Sequence, residues 1–553
     1  MNVRPQPQQI TQSKSMLSVI PRTTSVWACA IYGLLLFSRL GYFAFQPDTV
    51  LVAAVPDDAF YYLELAQNFA ASGKWSFDSQ AAASGFHLLY GYLLALWYWF
   101  AAPQWQTSFF VFGIINSSLC VAGAYCALRG TEYIFKRALP PIAITPFLER
   151  FGLFSATGLL ETALVIALMA WCFRELAYST ITERTPGRLR CLGLFALGIL
   201  GSLARTDFGL FIGVAFCCSL ALQLPKRSIL ASACLLAGCI TGIGLIFLHT
   251  FSITGLFLQA SAATKTFWSA QIGHNANGIW GLIRDGLTSP FALLPMALKQ
   301  IITVLLGVYS LVLLQQQHLL KSTSTKHSNA SNVQAKTMIK TSLSDHWARH
   351  WLASSALITL LAALFVYSRN SQALQFWYYG NLLIPCSIVL TVWYLWLFRA
   401  RPQPLYIILV GCVCAAGLVL PQTPFPGQAT NYTIAKAIDE FIPHANDNVL
   451  IGSWNAGIYR HVSKTNIVNL DGLVNDEIFP YLQGNNLYDY IAAREIRFLL
   501  DGADMFSNPV FAKRGGYWQD NRFSRCFQKR ELPSSLQQLG AVLFERLGQK
   551  AGC

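Results

Sequence analysis

The sequence predicts an α-helical polytopic membrane protein of about eleven transmembrane helices, with a C-terminal α/β soluble domain on the outer face. Three observations carry this. Of 553 residues, 54% are apolar and only 12% are charged, about half the charge of an average soluble domain. Apolar runs of about 20 residues, the length that crosses a bilayer, recur between residues 25 and 420. Residues 421–553 are different material, with thirteen Lys/Arg balanced by thirteen Asp/Glu.

The net charge of +14 therefore belongs entirely to residues 1–420, where it gathers in short segments between the apolar runs. That pattern is membrane topology, and it excludes nucleic-acid binding as the reason for the charge. Residues 1–24 form a polar cytoplasmic segment. The transmembrane domain follows over 25–420, with spans expected near 25–45, 86–102, 108–128, 151–173, 191–204, 207–223, 229–250, 291–314, 351–368, 379–398 and 404–420. The first run is too long for a signal-peptide core and reads as an uncleaved anchor. Segment 138–148 is apolar but holds three prolines, and reads as re-entrant or interfacial.

With the N-terminus in the cytoplasm, the inside segments sum to +13, including +4 in the Ser/Thr/Asn-rich linker 315–350. The first outer loop, 46–85, comes to −4. The opposite orientation would place the basic excess outside and is rejected, so a multi-pass protein of a bacterial-type inner membrane is expected. The tail 421–553 then lies outside. It shows strand-like runs at 449–451, 467–468, 498–500 and 542–544, with helix-like stretches at 430–442 and 486–494. Fourteen cysteines lie mostly in the apolar runs and read as small buried hydrophobes without a disulfide framework.

Charge set against a membrane is costly, and each instance asks for a reason. In the first outer loop, Pro56-Asp57-Asp58-Ala59-Phe60-Tyr61-Tyr62-Leu63-Glu64 opens an amphipathic helix expected to lie on the membrane surface. Asp57 or Asp58 is either its N-cap or a catalytic or metal-binding carboxylate. His87, at the mouth of the second span, is an interfacial tip, a metal ligand or a phosphate contact. Glu161 lies about ten residues inside the fourth expected span and needs a cavity or a partner. Arg205 and Asp207 form a local ion pair or a phosphate clamp. All map to the outer leaflet, which points to chemistry on a phosphorylated lipid.

At these residues the sequence resembles the GT-C superfamily of integral-membrane glycosyltransferases, which includes the protein O-mannosyltransferases and the lipid A aminoarabinose transferases. PDDAFYYLELAQNFA followed by GFHLLYGYLLAL carries the resemblance, with TGLLETAL, ARTDFGLF and the tail segment IGSWNAGIYRHVSKTNIVNLDGLVND. The resemblance implies inverting transfer of a sugar from a polyprenyl-phosphate carrier to an acceptor hydroxyl of a protein, lipid or glycan on the extracytoplasmic face. It implies a catalytic role for Asp57, Asp58 and Glu161, with Asp57 favoured as general base because it lies further from the helix. Tyr61, His87, Arg205 and Asp207 are implied in substrate or phosphate binding, and Asp58 with His87 as ligands should a divalent cation take part. Trp75, Trp268, Trp377, Tyr378 and Tyr379 read as an interfacial aromatic belt or a sugar-stacking surface. Trp454, Asn455, Asp471 and Asn475, in loops after strands of the tail, are acceptor contacts or plain turn residues. A transporter or flippase of a lipid-linked sugar is the rival reading, but no internal repeat supports it.

Overall fold

The computed structural model describes residues 22–135, 144, 146–148, 150–271, 350–367, 375–397, 423–442, 449–517 and 520–548. The expected spans at 291–314 and 404–420 and the cytoplasmic linker lie outside the described residues. Among those described, five helices are long and apolar enough to cross a membrane: Ser25–Phe43, Trp105–Ile134, Thr162–Ile181, Lys226–Thr254 and His350–Tyr367. Shorter apolar helices join them at Leu88–Ala101, Thr206–Ala221 and Trp377–Val392.

We label the helices used below in chain order. They are α1 (Arg22–Phe43), α2 (Asp57–Ser72), α3 (Leu88–Ala101), α4 (Trp105–Phe135), α5 (Thr162–Ile181), α6 (Arg188–Ala204), α7 (Gly209–Ala221), α8 (Lys226–Thr254), α9 (Ala260–Gln271), α10 (His350–Tyr367) and α11 (Leu383–Leu397). α1 and α4 run antiparallel, since Ser25 bonds Glu132 at one end and Phe43 meets Phe109 at the other. α4 and α5 run the same way, with Gly123 against Ala167 and Tyr133 against Tyr178. The chain therefore returns between them, passing Tyr32 at Phe147 and Gly152. α6 and α8 pack at backbone contact. A Cβ on Gly198 would fall 2.2 Å from Leu235 O, and one on Gly238 2.0 Å from Phe195 O, as small residues allow between membrane helices.

Two expectations change. α3 does not cross: Tyr90 near its start packs on Tyr62 of α2, and Trp105 just past its end packs on Phe60 of α2. Both ends of the 86–102 run stay at one end of the bundle, which reverses the direction expected for the next helix. The fourth expected span is also broken. A short helix, Arg150–Thr157, ends at Gly158, Leu159 takes a positive φ of 51°, and α5 starts after Glu161.

The tail builds the expected α/β domain. Helix α12 (Pro426–Phe441) precedes strands β1 (Leu450–Ser453), β2 (Asn466–Asn469), β3 (Phe498–Gly502), β4 (Phe527–Arg530) and β5 (Ala541–Arg546). The sheet order is β2-β1-β3-β5-β4; β1 is parallel to β2 and β3, and β5 is antiparallel to β3 and β4. Helices α13 (Ala456–Val462), α14 (Leu487–Ala493) and α15 (Pro509–Arg514) connect it. Parallel strands are buried on both faces and read as apolar runs, which made three of them legible. β4, polar and on the edge, was not. Cys526, just before it, is disulfide-bonded, against the expectation of a thiol acting as a plain hydrophobe.

One apolar core unites the outer loop with the tail: Phe60, Leu63 and Tyr98 share it with Ile438, Ile451, Ile458 and Phe498. α2 is thus buried between bundle and tail rather than lying on the membrane surface, and Phe60, Leu63 and Ala66 are fully enclosed.

Candidate active site

Successive residues of a helix are about 100° apart, so neighbours in sequence face different ways. On α2, Asp57, Tyr61 and Glu64 make one stripe, and Asp58 and Tyr62 make the adjacent one. The first stripe holds the tail. Asp57 caps α13, not its own helix: its Oδ2 accepts from Gly457 N (3.0 Å) and its Oδ1 from Ile458 N (2.9 Å). Burial nonetheless pushes the Asp57 carboxyl up to about 7, partly offset by those two bonds. Tyr61 donates to Asp471 Oδ2 at 2.8 Å and accepts from Asn469 Nδ2 at 3.1 Å. Glu64 takes Arg460 Nε at 3.0 Å and His461 Nδ1 at 3.2 Å. Tyr61 thus anchors the tail.

The second stripe faces the bundle. Tyr62 donates its hydroxyl to Glu161 Oε2 (3.3 Å) and accepts the His87 backbone N–H (3.1 Å). Glu161 sits in the break before α5, almost completely buried, with His87 Nε2 3.5 Å and Arg205 Nη1 3.7 Å from its Oε1. Irregular backbone at such depth is tolerated where it lines a polar cavity. Arg205, 2% exposed, is fully engaged. Its Nε and Nη2 clasp Asp207 at 3.0 and 3.2 Å, and its Nη1 donates to Trp377 O at 3.0 Å. Tyr367 (3.0 Å) and Asn381 also donate to Asp207. Of the two readings of this pair, the local ion pair is the one the geometry displays.

Asp58 accepts no hydrogen bond among the described residues. Burial raises its pKa, and the ammonium of Lys265 on α9 lowers it. Lys265 bonds the Tyr378 hydroxyl and lies 4.7 Å over that ring. Asp471 completes the rim, held by Tyr61 and by Leu473 N (2.7 Å), with burial pushing its carboxyl up to about 6. A free carboxylate beside a buried acid, a tyrosine and a lysine at the mouth of a helical bundle is equipped to take a proton from a hydroxyl.

The sequence-predicted residues thus divide. Asp57, Asp58, Tyr61, His87, Glu161, Arg205, Asp207 and Asp471 converge on one junction. The side chains of Trp454, Asn455 and Asn475 do not, although the Tyr61 hydroxyl also reaches the Trp454 carbonyl at 3.2 Å. Trp454 is 4% exposed, its ring against Phe506 and Tyr517. Asn455 is pinned by Asp501 at 2.7 Å, and Asn475 donates to Asn469 O and Tyr490 Oη. These three shape the domain interior. Lys265 and Asn381 carried no sequence signal, since a single Lys or Asn between apolar runs looks like any loop residue. Among the described residues no group of three His, Cys, Asp or Glu side chains stands at metal-ligand spacing. Among the described residues Asp58 and His87 are thus not joined by a third such side chain.

The described residues thus form a polytopic helical bundle, with a helix broken at a buried acid, packed against the loop 46–85 and an α/β domain. Among solved structures, that of the archaeal oligosaccharyltransferase AglB from Archaeoglobus fulgidus, in complex with an inhibitory peptide and a dolichol-phosphate, matches 90% of this chain and 71% of its own, with a TM-score of 0.50 and 11% identity. A structure of the A. fulgidus oligosaccharyltransferase with Zn and sulfate matches 86% of this chain and 68% of its own, with a TM-score of 0.47 and 10% identity. At such identity the first likeness is one of fold, and it agrees with the fold that the sequence motifs imply. No protein-family model and no curated protein matches the sequence.

Proposed function

We propose that this protein is a membrane glycosyltransferase that moves a sugar from a polyprenyl-phosphate carrier to an acceptor hydroxyl on the extracytoplasmic side, with inversion. The observation that carries the reading is Asp58: a carboxylate without hydrogen-bond partners among the described residues, in the field of Lys265 and Glu161 where the bundle meets the α/β domain. The motifs placed the base at Asp57 or Asp58 and favoured Asp57. Its engagement by Gly457 and Ile458 leaves Asp58 for that work. In the reaction the acceptor oxygen attacks the anomeric carbon, Asp58 takes the hydroxyl proton, and the bond to the carrier phosphate breaks. The phosphate leaves as an anion that needs little protonation and much charge stabilisation. Glu161 orients Tyr62, on the same stripe of α2 as Asp58, and His87. The AglB structure that shares the fold holds a dolichol-phosphate, which supports a lipid-phosphate donor here. The acidic first loop and the basic inside segments support an outward-facing site.

The test uses the full chain in nanodiscs with a panel of radiolabelled polyprenyl-phosphate sugars, reading release of free polyprenyl phosphate. Wild type and Asp57→Asn should release it, and Asp58→Asn should not. Release that survives in Asp58→Asn sinks the base assignment. Parallel reactions with a chelator read metal dependence directly.

A further inference from the structure

Arg205 has its charge spent on Asp207, so the developing anion needs another partner, and the junction holds further donors. Trp268 on α9 is 7% exposed, and its indole N–H meets no acceptor among the described residues. The Arg514 guanidinium, at the end of α15, stacks 4.1 Å over that indole. Among the described residues it donates no hydrogen bond and ion-pairs with no carboxylate. Lys265, one turn before Trp268 on α9, donates to the Tyr378 hydroxyl and has Asp58 as its nearest-acting charge, but no carboxylate oxygen among the described residues is within ion-pair distance of it. Asp471 lies within the field of both cations, but its oxygens are taken by Tyr61 and Leu473 N. α9 itself is fixed: Gln259 donates to Phe86 O (2.7 Å), Ala260 N to Ser84 Oγ (3.0 Å), and Thr264 to Gly472 O (3.0 Å).

A cation drawn partly out of water with no carboxylate against it is expensive; both side chains keep part of their surface exposed, yet burial lowers Lys265 and brings Arg514 down to about 10. A sugar does not answer this arrangement. Hydroxyls ask for acceptors as well as donors, and the Arg514 guanidinium covers the indole face on which a sugar would stack. Lysine, guanidinium and indole together offer donors only, which suits a tetrahedral oxyanion. We propose that Lys265, Trp268 and Arg514 form an oxyanion subsite between the helical bundle and the α/β domain, holding a phosphate group of a substrate. The proposal rests on the transferase reading for its substrate. The phosphate belongs to the carrier lipid or to an acidic acceptor.

Binding separates these. Full-length protein in nanodiscs is titrated with radiolabelled farnesyl phosphate, with farnesol, and with inorganic pyrophosphate, for wild type, Lys265→Gln, Arg514→Gln, Trp268→Phe and the exposed control Arg525→Gln. Trp268→Phe keeps the ring under Arg514 while removing the N–H, so it reports even where a charge change unfolds the chain. Farnesyl phosphate affinity falling at least about tenfold in the three site variants, the size of one lost charge-assisted hydrogen bond, with farnesol and the control unchanged, assigns the subsite to the carrier. Pyrophosphate binding lost in the variants while farnesyl phosphate affinity holds assigns it to an acidic acceptor. Wild-type binding of pyrophosphate without any binding or turnover of lipid phosphate upholds the subsite and sinks the transferase reading. Site variants that bind every anion as wild type does, or a wild type that binds none, overturn the proposal.

Discussion

Asp57 and Asp58 stand about 100° apart around α2, and that rotation gives them opposite surroundings. Acids in the loop were legible because charge beside a membrane needs a reason. Their division of labour was not, because it depends on which stripe of α2 meets the tail, a fact of tertiary packing. Asp58→Asn should lower transfer by about 10²–10⁴-fold, the usual worth of a general base, with the melting temperature unchanged; a transfer assay alongside thermal unfolding reads both. Asp57→Asn should keep most of the transfer and loosen the tail. Its pH behaviour follows from the carboxyl being raised to about 7. The ordinary unfolded value is near 4, so between about 4 and 7 the docked form binds more proton than the undocked one. Stability of docking therefore falls as pH rises through that window and levels off above it. Melting of wild type should drop from pH 5 to pH 8, and Asp57→Asn should flatten that slope. An unchanged slope in the variant would remove Asp57 as its cause.

Helix α3 shows what apolar length does and does not specify. Residues 86–102 are apolar enough to span, yet Leu93, Leu96, Trp99 and Phe100 are exposed while Tyr90, Leu94 and Tyr98 pack inward on the α2 side. A helix of this kind lies along a membrane face as readily as through it. The choice was made by Phe60 and Tyr62, which hold both of its ends. One consequence is that Arg129 and Glu132, near the end of α4, lie at the end of the bundle that holds Ser25 of α1. With native cysteines replaced, a cysteine at Ala102 should react with an impermeant maleimide on the same side as one at Ser79. Labelling from opposite sides would restore α3 as a span. The contact of α2 with α13 is equally specific. A Cβ on Gly457 would fall 2.6 Å from Asp57 O, so Gly457→Ala should cost docking about 1–3 kcal/mol through overpacking, seen as faster proteolysis of the tail. Equal proteolysis rates would show that the contact yields.

Across the molecule, the boundary between bundle and tail was legible from charge balance and from the change in apolar period. The seam itself was not, because its anchors are hundreds of residues apart: Ser84 with Asp476 at 2.5 Å, Asp78 with Arg494 at 2.7 Å, and Phe425 N with Ala53 O at 2.9 Å. Each joins the outer loop to the tail, so the two fold as one body and the loop carries Asp58 into place. The disulfide at Cys526 bears on where that body resides. Disulfides persist in oxidising compartments, which supports the outward tail proposed from the charge pattern. Removing one from a small domain typically costs about 2–5 kcal/mol. Cys526→Ser should therefore lower the melting of the tail while leaving the bundle helices folded, since the bundle core along α1, α4 and α5 is separate from the tail's own core. Circular dichroism of the helices and pulse proteolysis of the tail, each with and without reductant, separate the two. Wild type under reductant should match Cys526→Ser, and the variant should not respond. A tail equally stable in all four conditions would deny the disulfide any part in holding the outer body together.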